Sequence, residues 1–239
     1  MRILVIADIH ANYRGLKAVI DKFPDVDEIW CLGDIVEYGP CPSECVDLVH
    51  THCKHVIRGN HDDHFAVQQP SQTVGWLGWF PHHTTIETLD YLQKLPSLLS
   101  TEVEKRSYCL VHGSPKHHTS GRLHPYADEG DNLEAIQGTS EDRILSGHTH
   151  MAMKFEVKGK LVVNPGTIGQ PRDGDYRAQC MLIEEGGFRF ERVEYCLHAL
   201  KKDYLQSGMD QQQAKIWFDY TRTGIVDPHG IQLGPFSPR

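Results

Sequence analysis

Five short clusters of Asp, Asn and His punctuate the chain: Asp8-Ile9-His10, Gly33-Asp34, Gly59-Asn60-His61-Asp62, Val111-His112-Gly113 and Gly147-His148-Thr149-His150. Carboxylate oxygen, amide oxygen and imidazole nitrogen are the donors that suit borderline first-row ions such as Mn, Fe, Co, Ni and Zn. In an extended segment, side chains at i and i+2 point the same way, so Asp8 and His10 can reach one ion together. The same holds for His148 and His150 if that segment is extended; otherwise they divide between two ions. Two ions ~3.5–4 Å apart would need a carboxylate to bridge them. The chemistry such a set supports is metal-assisted hydrolysis. Each cluster alone is a weak signal, since a lone H-x-H usually belongs to a loop or a satisfied core pair. Five in this order, each at the end of an apolar run, are a strong one.

The elements that must position these clusters can be read from hydrophobic pattern. Ile3 to Ala7 is a continuous apolar run, as in a strand covered on both faces. Leu16, Val19, Ile20 and Phe23 follow at helical spacing. Glu28 to Leu32 reads as a second strand, Ser43 after Pro42 as the cap of a helix through Val46 and Val49, and His55 to Ile57 as a third strand. This β-α-β-α-β order predicts a parallel sheet, whose strand ends converge on one crevice. Residues 61 to 98 read as mainly helical, with a Gly-Trp-rich piece (VGWLGWF) and a helix around Thr84 to Lys94. From there to Tyr195 most segments are short β runs separated by turns such as Lys158-Gly159 and Glu185-Gly186-Gly187. Residues 117 to 138 show weak periodicity and read as a loop or a lid over the site. LHALKKDYL and QQQAKIWFDYT read as helices before a Gly/Pro-rich tail.

Composition narrows the class. The 239 residues suffice for one sizeable domain. Its expected span is 1–196, with residues 197–239 a helical extension packed on the same body or on a neighbouring copy in a homo-oligomer. Lys and Arg number 24 against 32 Asp and Glu, a net charge of −8, which argues against a basic nucleic-acid-binding face. No stretch approaches the ~18 apolar residues of a membrane span, and the N-terminal run is too short for a signal peptide. The seven cysteines are odd in number, and Cys31, Cys109 and Cys180 sit in apolar runs, which points to a reducing, cytoplasmic setting.

The series DIH, GDIVEYG, RGNHD, VHG and GHTH resembles the calcineurin-like metallophosphoesterase superfamily over residues 1 to about 190. The resemblance implies an α/β fold, a four-layer αββα sandwich of two mixed sheets flanked by helices. It implies two divalent or trivalent transition-metal ions, with Mn first and Fe, Zn, Ni or Co as alternatives. One would take Asp8, His10, Asp34 and His150; the other would take Asp34, Asn60, His112 and His148, with Asp34 bridging. His61 would protonate the leaving oxygen while metal-activated hydroxide attacks phosphorus.

Departures from the family pattern bear on substrate. In the Ser/Thr protein phosphatases of the superfamily the second motif resembles GDYVDRG; here it is GDIVEYG. Glu37 takes the place of the Asp that orients the catalytic His, and Tyr38 that of the Arg that grips phosphate. Arg58 is kept, and reads equally well as a catalytic residue or as a structural salt-bridge partner. VNPGTIGQPRDGD, residues 163 to 175, is similar to the small bacterial and archaeal phosphodiesterase branch related to diadenosine tetraphosphatases. There Thr167 and Arg172, with Asn60, are expected to touch substrate, whereas Gln170 reads better as a turn residue. The expected activity is that of a phosphodiesterase on small or nucleotide diesters. The alternatives are a phosphomonoesterase or protein phosphatase and, remotely, an inactive interaction scaffold.

Overall fold

A run of apolar residues buried on both faces needs two partners, and the N-terminal strand has them. In the computed structural model, which describes residues 1–67 and 84–225, β1 (Ile3–Ile6) is fully buried. It pairs in parallel with β2 (Glu28–Cys31), which pairs in parallel with β3 (His55–Val56). Helices α1 (Tyr13–Lys22) and α2 (Pro42–His52) make the crossovers. Asn12 begins α1 by accepting the Gly15 N–H on its side chain. The helix after β2 starts two residues earlier than its sequence predicts, with Cys41 and not Ser43 at the cap position. Pro42 occupies the first turn, where a missing N–H costs nothing, and Ser43 instead accepts a hydrogen bond from Thr88.

The chain continues through α3 (Asn60–Val67) and α4 (Ile86–Lys94). VGWLGWF lies outside the described residues. Then come β4 (Leu98–Val103), β5 (Arg106–Val111), α5 (Glu129–Ala135), β6 (Arg143–Leu145), β7 (Ala152–Val157), β8 (Lys160–Pro165), β9 (Ala178–Glu184) and β10 (Gly187–Val193). Helices α6 (Leu197–Gln206) and α7 (Gln211–Thr223) follow. Two mixed five-stranded sheets result, ordered β10-β9-β1-β2-β3 and β4-β5-β6-β8-β7.

The period-2 alternation of the strands sorts side chains into layers. Ile3, Val5, Ala7, Trp30 and Leu32 of the first sheet meet Tyr108, Leu110, Leu145 and Val163 of the second in a buried layer between them. Leu4, Ile6 and Cys31 face outward onto α1, α2, α6 and α7, and Cys109, Val111, Ile144 and Val162 pack against α5. This is the expected αββα sandwich. The C-terminal helices join its core through Leu200, Tyr204, Ala214, Trp217, Phe218 and Tyr220. The segment 117–138, read as loop or lid, carries helix α5, too short to register in periodicity. Its start is tied to the turn after β5, where the Gly113 and Ser114 N–H groups donate to the carbonyls of His118 and His117.

Candidate metal centre and acid

The clustered residues leave the strand ends through sharp turns. Asp8, His10, Asp34, His148 and His150 have φ of 51°, 46°, 54°, 65° and 59°, the left-handed region in which Asp, Asn and His are the most frequent non-glycine residues. The extended i, i+2 geometry is therefore not how Asp8 and His10 come together, and His148 and His150 go to different groups. The donor atoms of Asp8, His10, Asp34 and His150 lie within 4.8 Å of one another, as do those of Asp34, His112 and His148. Asp34 belongs to both. Gly59 lets this happen: a Cβ there would stand 2.1 Å from Asp34 Oδ1.

The donor set fits a cation. Asn60 Oδ1 is buried with no hydrogen-bond partner, whereas buried polar atoms are almost always paired, and the buried Asp34 Oδ2 and His112 Nε2 face only each other, at 3.1 Å. Three imidazoles are oriented alike. Nδ1 of His112 donates to the Leu32 carbonyl at 2.8 Å, Nδ1 of His150 to Gln170 at 3.0 Å and Nδ1 of His10 to Val36 at 3.3 Å. Each leaves Nε2 to the site, the outer-sphere arrangement that fixes a ligand's tautomer. Nε2 of His10 and of His150 approach to 3.1 Å.

Charge divides the clustered residues. Burial pushes Asp8 above the usual carboxylate range. Burial acts likewise on Asp34, but His112 and His61 outweigh it and hold Asp34 well below that range. Burial would lower His112, yet Asp34 beside it at 3.1 Å pushes it up to about 10. Burial lowers His10 and His150, and brings His148 down to about 4. Neutral imidazole is the form that binds metal, which burial favours at His10, His148 and His150; at His112 a cation would have to displace the proton that Asp34 holds there.

Three supports have no counterpart in the sequence-based expectations. Asp62, fully buried, accepts the backbone N–H groups of Asp34 and Gly59 on Oδ2 and those of Ile35 and Val36 on Oδ1, tying the second cluster to the third. Asn164 Nδ2 donates to the Gly147 carbonyl at 2.6 Å and to Thr149 Oγ1 at 3.1 Å, pinning the GHTH turn. Thr167, expected to touch substrate, is the third. The residue is fully buried, and its hydroxyl donates to the Asp8 carbonyl at 2.7 Å and accepts from Gln170 N at 3.0 Å. The hydroxyl thus joins the Asp8 turn to Gln170, whose carbonyl meets His150 Nδ1.

His61 stands beside the ligands, outside both groups. Its backbone N–H donates to Asp34 Oδ1 at 2.9 Å, and its ring Nδ1 meets Glu37 Oε2 at 2.5 Å. Burial would lower this imidazole, but Asp34 and Glu37 outweigh it and raise it above the ordinary histidine value. Glu37 Oε1 also takes Nδ1 of His64 at 2.6 Å. Arg58 does not join them. Its guanidinium is held by Asp63 at 2.6 Å and by the Gln93 carbonyl at 3.2 Å, the salt-bridge alternative. Arg172 is half-buried, and burial lowers it while Asp8, Tyr38 and Asp34 act in the opposite direction, which places its charge in the field of the site.

Comparison with known proteins agrees with this geometry. The calcineurin-like phosphoesterase superfamily domain matches residues 1–186. The uncharacterized protein MJ0912 of Methanocaldococcus jannaschii is 32% identical, covering 84% of this chain and 90% of that protein. The phosphodiesterase YfcE of Escherichia coli K12 is 23% identical over 76% of this chain and 87% of its own length. The crystal structure of a metallophosphoesterase from Sphaerobacter thermophilus superposes with a TM-score of 0.78 at 30% identity, covering 94% of this chain and all of that one. With donors from four turns gathered in two groups that share Asp34, and that match over most of its length, the chain belongs to the calcineurin-like phosphoesterase superfamily.

Proposed function

We propose that the chain is a phosphodiesterase for small or nucleotide diesters, working with two metal ions that share Asp34. The observation that carries this reading is the membership of Asp34 in both ligand groups, with His61 adjacent and outside them. One ion would be held by Asp8, His10, Asp34 and His150, the other by Asp34, Asn60, His112 and His148. Two bound cations lower the pKa of water toward ~7 and offset the negative charge that develops on phosphoryl oxygens. His61 carries the proton for the leaving oxygen, since expulsion of an alkoxide is slow without one. Glu37, on Nδ1, directs Nε2 as the face that gives the proton up. Arg172 supplies positive charge near the ligands for a phosphate oxygen.

Tyr38 in place of a phosphate-gripping Arg disfavours the protein-phosphatase alternative, and a curated relative named as a phosphodiesterase supports the diester reading. Hydrolysis of bis-p-nitrophenyl and mono-p-nitrophenyl phosphate after loading with Mn, Ni, Fe or Zn tests it. The diester is expected to turn over faster. A preference for the monoester under every metal would overturn the substrate class.

A further inference from the structure

Both ring nitrogens of His61 are engaged. Glu37 takes Nδ1, and the hydroxyl of Tyr38 lies 3.2 Å from Nε2. Glu37 and Tyr38 are consecutive and both left-handed, with φ of 66° and 64°, a conformation L-residues adopt only when their surroundings impose it. The surroundings of Tyr38 are specific. Its ring packs on Trp217 of α7 at 4.5 Å, on His61 at 4.7 Å and on His10 at 4.8 Å. Its carbonyl accepts from Tyr204 Oη of α6 at 3.4 Å. Both helices lie beyond the part of the chain that the family domain matches. Burial, followed by Asp34 and Glu37, raises the Tyr38 phenol, so it remains a neutral O–H at physiological pH.

We propose that Tyr38, gripped by α6 and α7, is a positioning residue: its hydroxyl accepts the Nε2–H of His61 in the resting site and holds the ring in place until the leaving oxygen takes over that hydrogen bond. This rests on reading His61 as the acid. As the P–O bond breaks, its electron pair goes to the leaving oxygen, which takes the Nε2 proton. Water supplies the new oxygen on phosphorus and releases one proton to solvent, and His61 regains one from solvent. Tyr38 neither gains nor loses a proton, so its effect is confined to the orientation of the ring.

The test compares metal-loaded wild type, Tyr38→Phe and His61→Ala on two substrates, methyl p-nitrophenyl phosphate and methyl phenyl phosphate. The first leaving group needs little protonation and the second needs it. Tyr38→Phe is expected to lower kcat about tenfold on the phenyl ester and less than about twofold on the nitrophenyl ester, with melting temperature and metal content unchanged. In the metal-free protein the Nε2 ¹⁵N resonance of His61 is expected to move more than Nδ1. Equal losses on both esters, or none, would overturn the proposal. If His61→Ala itself shows no leaving-group dependence, the acid assignment fails and the proposal with it. If His61→Ala shows it and Tyr38→Phe does not, the role of Tyr38 alone is refuted.

Discussion

The Glu37 carboxylate meets Nδ1 of His61 at 2.5 Å and Nδ1 of His64 at 2.6 Å, one oxygen to each ring. Glu37 is itself buried and left-handed. Glu is one methylene longer than the Asp at this place in the motif of the Ser/Thr protein phosphatases, and from its left-handed turn it still meets the His61 ring.

Glu37→Gln should slow turnover and shift its pH dependence. Glu37 helps hold His61 above its ordinary pKa. Gln removes that charge, so the pKa falls and His61 loses its proton at lower pH. Because the acid must be protonated to act, the alkaline limb of the pH–rate profile moves to lower pH, with kcat down about 10- to 100-fold. An unchanged profile and turnover would remove Glu37 from the mechanism.

Asp62→Asn should destabilise the fold. Asn keeps one accepting oxygen where the carboxylate has two, leaving backbone N–H groups of the second or third cluster buried without partners. The cost is about 2–5 kcal/mol, on the order of 5–15 °C in Tm, read by calorimetry on the metal-free chain. A shift below about 2 °C would mean that these N–H groups find other acceptors.

Thr167→Val should weaken metal binding and spare substrate binding. The variant loses the hydroxyl that joins the Asp8 carbonyl to Gln170 N. Such outer supports are worth about 10- to 100-fold in metal affinity. Titrating metal against activity should show that loss, with KM at saturating metal within about twofold. A raised KM with unchanged metal affinity would restore Thr167 as a substrate contact.

Arg58→Ala should retain kcat and KM within about twofold, because its half-exposed pair with Asp63 is worth about 0–1 kcal/mol. A hundredfold loss of kcat would return Arg58 to the catalytic set.

The candidate ligands were legible in the sequence because metal-binding capacity is written in residue type: few side chains supply the donors, and strand ends gather them. What supports the ligands was not legible. His112, His150 and His10 are aimed by carbonyls of Leu32, Gln170 and Val36, and every residue carries a carbonyl, so those positions give no signal. Asp62 was visible as a residue and hidden in role, since a carboxylate that accepts four backbone N–H groups looks in sequence like any other Asp. Left-handed turns at Asp8, His10, Asp34, His148 and His150 were missed because the period-2 argument assumes extended backbone. The four layers were expected from the family resemblance, while the continuous apolar run of β1 required only a strand covered on both faces. The approach of Trp217 to Tyr38 was not legible, because helical periodicity shows that a face is buried and not what it is buried against.

The most direct measurement of the central claim is metal content per chain, with diester hydrolysis, in wild type, Asp34→Asn and His61→Ala. If Asp34 is shared by two ions and His61 binds neither, wild type holds two. Asp34→Asn then loses metal and activity together, while His61→Ala keeps its metal and loses about 10²–10⁴-fold in kcat. Metal retained in Asp34→Asn but lost in His61→Ala would contradict the account, as would a wild type that holds two ions and hydrolyses no phosphoester.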